Sequence, residues 1–505
     1  MVGPDYVAPE KQPTIPYKHG GGSPSDIHTE ALRQLRGENG NDIHTQALWH
    51  LRSGTALQTH QTNENGSWKI AVPSDHAAKG AWWEMFGDPV LNHLEETASS
   101  GNLDLRAALQ RVEQARATAR IRRGELFPEG YFNPSLRRER YSPTQEPSFG
   151  DLTADTIRLP IDLSYEIDLF GRVRRGFEAA RAEAEAARAA YHNLLLTLQG
   201  DVALNYFRLR SLDSEIAALA RTSGLREEQL SMARGRYEAG AGNELDVARA
   251  ETELATAQAE FSALSARRAE IENALAILTG NHPSQFQIAS DPTNSTSWSP
   301  EPPAIPAGLP SDLLERRPDV AEAERQIASA NARVGIARAA AFPVVRLTGG
   351  GGFISGEVQD LFDWDSRVWS LGPSISIPLF SGGRNRANRE RANAAYEEAV
   401  LRYRQRVLVA FAEVENSLAA IRFLGEQKVA QDRALANSRR AAQLAETRYR
   451  AGIVGYLDVV EANRDLLRIE RATVQLAGQR LASAVQLIKA LGGGWTTTQA
   501  QASNH

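Results

Sequence analysis

Few side chains in this sequence are arranged as a site for catalysis or metal binding. Seven of the ten histidines precede residue 94, and those with metal-ligand potential are His28, His44, His50 and His60. They lie beside a short repeat of Asp-Ile-His-Thr, which we interpret as two small amphipathic turns rather than a metal site. The sequence has no phosphate-binding loop and no nucleophile paired with a base, and it contains no cysteine. It therefore predicts no enzyme, no cofactor and no metal site.

Two carboxylates have a spacing that suits an electrostatic role. Asp458 and Glu461 are three residues apart, which places them on one face of a helix. Asp458 belongs to a motif, residues 448–459, and Glu461 follows it closely. This motif repeats residues 236–247, with Arg, Tyr, Ala, Gly, Leu, Asp and Val in the same places. Each copy has a glycine typical of a helix end and an Asp typical of a helix start. Each motif is predicted to be the tip of a helical hairpin, and Asp458 can also cap its helix.

The two tips belong to a duplication that covers most of the chain. An offset of 212 residues aligns the tips and the sequence around them, and an offset of 215 aligns Phe127-Pro128 with Phe342-Pro343. The change of offset lies in a loop-rich segment, where length varies at low cost. The predicted organisation is an N-terminal segment 1–80, a first repeat 81–281, a linker 282–316, a second repeat 317–492 and a tail 493–505.

Composition excludes some functions and leaves the location open. The net charge of −5, from 57 basic and 62 acidic residues, argues against a nucleic-acid binder. No run of 18 or more apolar residues is present, so no transmembrane helix is predicted. Met1 leads straight into Val2-Gly3-Pro4-Asp5-Tyr6 without a signal peptide. These features fit either a cytosolic protein or a mature form whose export signal has been removed.

Each repeat contains one amphipathic β-hairpin. Apolar and polar residues alternate over 157–168 and again over 369–379, and weaker strands precede them at about 131–141 and 344–354. A strand of about ten residues with one apolar face can cross a bilayer when tilted. Half of a soluble sandwich is the alternative, but it would need more than these four strands. Four strands cannot close a barrel, so strands in lipid would require several copies of the chain.

A long helix follows each hairpin. Residues 161–282 and 379–505 lack proline, and the stretch from Arg172 to Ala239 would form ~100 Å of helix. Its apolar residues recur with steps near 3.5, which predicts a coiled-coil seam. The seam comprises Leu195, Leu198, Val202, Tyr206, Leu209, Leu212, Ile216 and Leu219. Shorter return helices are predicted at about 243–279 and 455–491.

The duplicated order of helix, hairpin, long helix, glycine turn and return helix resembles the outer-membrane efflux channels of the TolC and OprM type. The resemblance covers about residues 80–495 and includes the Phe-Pro before each hairpin. The segment from Gly3 to Pro9 is similar to the start of mature lipoprotein members (the NodT-like branch). The resemblance implies a mainly α protein with a small β part. It implies a trimer with a 12-stranded transmembrane β-barrel, continued by a long coiled-coil α-helical barrel.

The resemblance also implies a function. The chain would be the outer-membrane exit duct of a tripartite efflux pump, passively conducting drugs and other small molecules. Its partners would be two further copies, outer-membrane lipid, a periplasmic adaptor and an inner-membrane transporter of the resistance-nodulation-division class, with no nucleic acid. A lipid anchor is expected of lipoprotein members, although this chain lacks the Cys. Type I protein secretion and metal-ion efflux remain alternatives within transport, and a soluble coiled-coil scaffold is a more remote one.

The same resemblance assigns roles at the tips. Asp458 and Glu461 would face the periplasmic mouth, where a threefold ring carries six carboxylates and attracts cations. Residues expected to hold the tip closed through contacts between helices are Arg236, Tyr237, Asp246, Arg448 and Tyr449. The turns expected to dock the adaptor contain Gly240, Gly242, Gly452 and Gly455. Some family members have an Arg where this chain has Val454, so that contact is not expected here.

Overall fold

The computed structural model describes residues 80–142, 144, 153–290, 298, 300–305 and 316–493. The four histidines His28, His44, His50 and His60 lie outside these ranges, as do nearly all of the predicted N-terminal segment and tail and much of the predicted linker. The helices are α1 (Pro89–Gly101), α2 (Leu103–Gly124), α3 (Arg172–Glu238), α4 (Glu244–Leu278), α5 (Pro318–Ala339), α6 (Arg384–Arg450) and α7 (Tyr456–Ala490). The strands are β1 (Glu129–Phe132), β2 (Ser135–Arg140), β3 (Thr153–Ile167), β4 (Val344–Ser355) and β5 (Arg367–Ser376).

The helix lengths express the duplication directly. The long helices α3 and α6 each have 67 residues, and the return helices α4 and α7 each have 35. The helices that precede the hairpins, α2 and α5, each have 22. Among the helices of the described ranges, none combines the length and the apolar character of a membrane span.

Contacts divide the chain into two compact units, and each unit contains parts of both repeats. The first unit comprises Ala108–Tyr191 and Asp319–Arg406 of the described residues, and it holds the whole sheet. Within it, α3 and α5 are joined at Glu183, whose carboxylate accepts a hydrogen bond from Ser329 Oγ (2.7 Å) and pairs with Arg333 (2.6 Å).

The sheet is antiparallel, with the strand order β1-β3-β4-β5 and with β2 also paired to β3. β1 and β2 continue one register along β3 and are separated at Asn133-Pro134, where proline has no N–H to donate to a ladder. One hairpin per repeat is confirmed, although the first of the four predicted strands is split into two. β5 ends at Ser376 rather than near residue 379, two residues before Pro378.

The apolar face of the sheet is exposed. Ile161, Trp369 and Leu371 have exposed fractions of 57%, 83% and 69%, and all three belong to the alternating apolar positions that the sequence indicated. A soluble sandwich would bury such a face under a second sheet. In the part of the chain that the structure describes, one sheet is present and this face remains uncovered.

The second unit consists of helices packed along coiled-coil seams. Its described residues fall within Gln12–Ala107, His192–Pro318 and Val407–His505. Of the predicted seam, Leu198, Val202, Tyr206, Leu209, Leu212 and Leu219 are buried. Leu212 and Leu219 of α3 pack with Ala257 and Leu264 of α4 and with Leu467 of α7. The predicted seam is therefore confirmed over most of its length.

Candidate functional site at the helix tips

Both tips, residues 236–247 and 448–459, adopt the same backbone turn. In the first, Gly240 has φ +73°, and the N–H of Ala241 donates to the carbonyl oxygen of Arg236 (2.9 Å). In the second, Gly452 has φ +73°, and the N–H of Ile453 donates to the carbonyl oxygen of Arg448 (2.9 Å). A backbone with positive φ favours glycine, and the hydrogen bonds of such turns satisfy the last carbonyl groups of a helix. The predicted helix ends at the two glycines are confirmed.

The second glycine of each turn has a different reason to be there. A Cβ on Gly242 would lie 2.8 Å from the backbone nitrogen of Tyr237 and 2.9 Å from the carbonyl carbon of Arg236, which is too close. A Cβ on Gly455 would meet only the Oδ2 of Asp458 at 3.6 Å, an ordinary contact. Gly242 is therefore required by space, whereas Gly455 is not.

The return helices start with different caps. At α4, the Oδ1 of Asn243 accepts a hydrogen bond from the N–H of Leu245 (2.8 Å). At α7, the Oδ2 of Asp458 accepts one from the N–H of Gly455 (3.0 Å). Asp458 therefore caps its helix, as the sequence allowed, while the cap of α4 is Asn243 and not Asp246.

Asp458 and Glu461 are exposed on one face of α7 in the single chain. Asp465, one turn further on, is exposed on the same face and pairs with Arg468 (3.0 Å). The corresponding positions of α4 are Asp246 and Arg249, which lie 3.7 Å apart as an ion pair. The first repeat thus balances its charge at this position, whereas the second presents two carboxylates.

The structure brings two of the five predicted tip-contact residues together. The guanidinium of Arg236 lies over the ring of Tyr449, 4.6 Å from its centroid, within the range of a cation–π interaction. The Tyr449 ring in turn lies 5.8 Å from that of Tyr456. Tyr237 is 48% exposed and Arg448 is also exposed, while Asp246 pairs within its own helix. Within the single chain, the two tips therefore meet through Arg236 and Tyr449 among these five residues.

Tyr456 is central to this contact, although it is not among the tip residues that were predicted. It is buried with Leu230 and Ala233 of α3, Ala250 of α4 and Val460 of its own helix. Burial raises the pKa of the Tyr456 hydroxyl to about 12. The side chain therefore packs as a neutral aromatic group between the two hairpins. Its place in the Gly-Tyr-Leu-Asp motif, two residues before Asp458, is the signal that could have identified it.

Three charged residues near Tyr456, which are Arg226, Glu253 and Arg464, form a group that we call the tip ion triad. Glu253 of α4 is buried; its Oε2 lies 3.0 Å from Nη2 of Arg226 on α3, and its Oε1 bonds to Arg464 of α7. Nη1 of Arg226 also donates to the backbone carbonyl oxygen of Glu253 (2.6 Å). The hydrogen bond to Glu253 raises the pKa of Arg464, so this guanidinium stays charged. The triad joins three helices of both repeats at one carboxylate.

A second ionic contact follows one heptad along the same helices. Arg471 of α7 lies 2.9 Å from Glu260 of α4 and 3.4 Å from the buried Glu215 of α3. Gln475 adds a hydrogen bond to the same Oε2 of Glu215 (3.1 Å). The pairs Glu253–Arg464 and Glu260–Arg471 are seven residues apart on each helix. That spacing is readable in the sequence, although the choice of partner is not.

The fold and the tips define a class of protein, an internally duplicated subunit with one β-hairpin and one long coiled-coil hairpin per repeat. Sequence comparison agrees with this assignment. Residues 94–281 and 309–493 match the family described as outer membrane efflux protein. The chain belongs to the outer membrane efflux protein family.

Relatives and solved structures cover similar shares of the chain. The solvent efflux pump outer membrane protein SrpC of Pseudomonas putida is 37% identical over 418 residues, which are 82% of this chain and 88% of SrpC. The pyoverdine export outer membrane protein OpmQ of Pseudomonas aeruginosa is 35% identical, over 84% of this chain and 89% of OpmQ.

The structural comparison gives the same result. The outer-membrane channel OprN superposes with a TM-score of 0.76 at 33% identity and covers 86% of this chain and 98% of OprN. The Campylobacter jejuni outer membrane channel CmeC gives a TM-score of 0.77 at 25% identity, over 89% of this chain and 97% of CmeC.

Proposed function

We propose that this protein is the outer-membrane exit duct of a tripartite efflux pump and works as a homotrimer that passively conducts small organic molecules. The observation that carries the proposal is the sheet. It has one exposed apolar face and two open edges, in the same chain as two equal helical hairpins. In lipid, unpaired edge groups cost several kcal/mol each, so the edges favour closure between copies. Three copies of four strand lines would give a barrel of 12 strands, continued by a coiled-coil tube.

The tips supply a selective mouth in this proposal. Asp458 and Glu461 of three copies would form a ring of six carboxylates. The equivalent pair in the first repeat, Asp246 and Arg249, is neutral overall, so the ring charge comes from the second repeat alone. Rings of carboxylates attract cations and set selectivity in pores. Arg236, Tyr449 and Tyr456 hold the two tips of one chain together and would keep the ring narrow.

The remaining partners follow from the exposed turns and from the relatives. The turns around Gly240, Gly242, Gly452 and Gly455 would dock a periplasmic adaptor that leads to an inner-membrane transporter of the resistance-nodulation-division class. The segment from Gly3 to Pro9, which is similar to the start of mature lipoprotein members, supports a lipid anchor. Relatives named for solvent, toluene and pyoverdine export support small organic molecules as the cargo.

Single-channel conductance in a planar bilayer tests the duct and its mouth separately. The double substitution Asp458→Asn and Glu461→Gln removes both charges, yet the amide oxygen at position 458 can still accept the bond from Gly455. We expect the wild type to conduct with cation selectivity, and the double variant to conduct more and with weaker selectivity. The matched control is Asp246→Asn, which removes one carboxylate at the equivalent position of the first repeat.

The outcomes separate the two parts of the proposal. Unaltered conductance and selectivity in the Asp458→Asn, Glu461→Gln variant would leave the duct in place and reject the carboxylate ring. An equal effect of Asp246→Asn would assign selectivity to the total tip charge and not to the second repeat. Absence of any conductance from folded, detergent-solubilised wild type would reject the duct.

A further inference from the structure

Both ends of helix α1 are fixed to the first helical hairpin. At the N-terminal end, the Oδ2 of Asp88 accepts a hydrogen bond from the hydroxyl of Tyr206 (2.5 Å), a buried seam residue of α3. At the C-terminal end, the Nδ2 of Asn102 donates to the carbonyl oxygen of Leu278 (2.9 Å), the last residue of α4. The helix α1 therefore bridges the two helices of this hairpin.

The C-terminal attachment of α1 also involves the backbone. A Cβ on Gly101 would lie 2.6 Å from the carbonyl oxygen of Thr279, and a Cβ on Gly280 would lie 2.3 Å from the carbonyl oxygen of Gly101. Both distances are too short for a real Cβ, so the two chain segments are in direct backbone contact. A movement of α1 should therefore begin at Asp88 and pivot near Gly101.

The middle of α1 carries buried oxygens without a hydrogen-bond partner. Glu95 is fully buried, and neither of its carboxyl oxygens has a partner among the described residues. The same holds for the Oδ1 of Asn92 and the Oγ of Ser99, three residues before and four residues after Glu95. Residues at these spacings lie on one face of a helix. Because buried polar groups are normally paired, this face is the weak part of the packing of α1.

The surroundings of Glu95 suit a neutral carboxyl group and not a carboxylate. Leu91 and Ala98, about one turn before and after it, are also buried. Burial raises the pKa of Glu95 to about 9. The charged or titratable groups of α1 and of the elements around it include Glu84, Asp88, His93, Glu96, Arg210 and Glu272. Among the described residues, no charged group contributes to the raised pKa, which has burial as its cause.

We propose that α1 is a pH-sensitive switch on the first helical hairpin: it stays packed while the Glu95 carboxyl is protonated and opens locally when that proton is lost to solvent. An unpaired carboxylate in a buried apolar site is unfavourable, whereas the open helix exposes it to water. Opening from the Asp88 end breaks the hydrogen bond to Tyr206 and uncovers a seam position of α3. This property adds to the proposed duct and does not depend on it.

The direction of the pH effect follows from the two states of α1. In the open helix the Glu95 carboxyl has its ordinary pKa of 4.5, whereas in the packed helix its pKa is about 9. Packed α1 is therefore most stable below pH 4.5 and loses stability as the pH rises towards 9. Within that window, the ratio of open to packed α1 increases about tenfold per pH unit.

Hydrogen exchange of the full-length protein in detergent measures this ratio for the backbone amides of α1. We expect their protection, corrected for the pH dependence of the chemical exchange rate, to fall roughly a hundredfold from pH 6 to pH 8. The first turn of α7 opens without exposing Glu95, so its protection should not change in this way. At each pH, α1 should exchange at least about tenfold faster than α3 near the fully buried Val202.

Four substitutions assign the effect to a residue. Glu95→Gln and Glu95→Met keep a side chain of similar length without a titratable group, so the protection of α1 should become independent of pH. Glu96→Gln is the matched control, because Glu96 is exposed and its substitution should leave the wild-type pH dependence. Tyr206→Phe removes the hydrogen bond to Asp88, so it should speed exchange of α1 roughly tenfold at each pH with the same pH dependence.

The outcomes decide each part of the proposal. A pH dependence that is present in the wild type and in Glu96→Gln, and is lost in either Glu95 variant, supports the switch. Protection of α1 that does not change with pH in the wild type overturns it, as does a pH dependence that persists in both Glu95 variants. Equal protection of α1 and of α3 near Val202 would mean that the whole unit opens together, which overturns local opening. An unchanged exchange rate in Tyr206→Phe overturns opening from the Asp88 end.

Discussion

Removing the charge of Glu253 tests whether the tip ion triad holds the ends of the helices together. The Glu253→Gln substitution keeps the side-chain length but leaves the Arg226 guanidinium, only 9% exposed, without its anion. Breaking one partner from a buried ion pair costs about 3–5 kcal/mol. Arg226 keeps its hydrogen bond to the Glu253 carbonyl oxygen, and Arg464 is 58% exposed and remains solvated. We therefore expect the low end, about 3 kcal/mol.

The assay is hydrogen exchange of backbone amides in the first two turns of α4 and α7. Local opening sets these exchange rates, so about 3 kcal/mol corresponds to roughly a hundredfold acceleration. The matched control is Glu251→Gln, two residues away on α4. Its pair with Arg234 has side chains that are 51% and 55% exposed, so its loss costs less than about 1 kcal/mol and accelerates exchange less than about fivefold.

Equal acceleration by the two substitutions would refute the reasoning, because a buried and an exposed pair would then have the same effect. Unchanged exchange in Glu253→Gln would also refute it. In the bilayer assay, a loosened tip should widen the mouth, so the Glu253→Gln channel should conduct more than the Glu251→Gln channel.

Two further predictions concern stability. Burial raises the pKa of Glu95 to about 9, and both of its carboxyl oxygens lack a partner among the described residues. The folded state therefore holds this carboxyl protonated, and its stability falls by about 1.4 kcal/mol per pH unit as the pH rises from about 4.5 towards 9. Apparent Tm by circular dichroism should drop more between pH 5 and pH 8 in the wild type than in Glu95→Gln; parallel losses would contradict this. Gly242→Ala should make the first tip more sensitive to limited proteolysis, because its Cβ would be too close to the backbone of Arg236 and Tyr237. Gly455→Ala has space for its Cβ and should not change the cleavage of the second tip. Equal cleavage in the two variants would contradict this expectation.

Local signals predicted the elements well. The glycines at 240 and 452 located the ends of α3 and α6 to within two residues. The backbone at these helix ends has positive φ, which favours glycine, so the residue type itself marks the position. The apolar alternation from Ile157 found β3, and its start at Thr153 was missed because Thr153 and Asp155 are polar residues at positions where the pattern requires apolar ones. The split of the first strand line at Pro134 was not predicted. Strand propensity alone does not show whether the missing N–H of a proline would have faced a neighbouring strand.

Contacts between distant residues were less accessible. Glu253 looks like one of many solvated carboxylates on α4, and only the packing of three helices buries it beside Arg226. Tyr237 and Tyr449 occupy equivalent positions in the two motifs, yet only Tyr449 lies under Arg236. The duplication predicts two similar tips, whereas the asymmetry between them depends on which residues meet in space.

The equal lengths of the paired helices restrict how such a chain can change in evolution. An insertion in α3 alone would displace every later seam position relative to α4 and would shift the register of the heptads. Length can change at low cost only in the segments between helices and strands. The duplication already shows such a change, because the offset between the repeats is 215 for the helix before each hairpin and 212 for the helix after it. Longer or shorter relatives should therefore differ by whole heptads inserted at matching sites of all four long helices, and single-repeat insertions should be confined to loops.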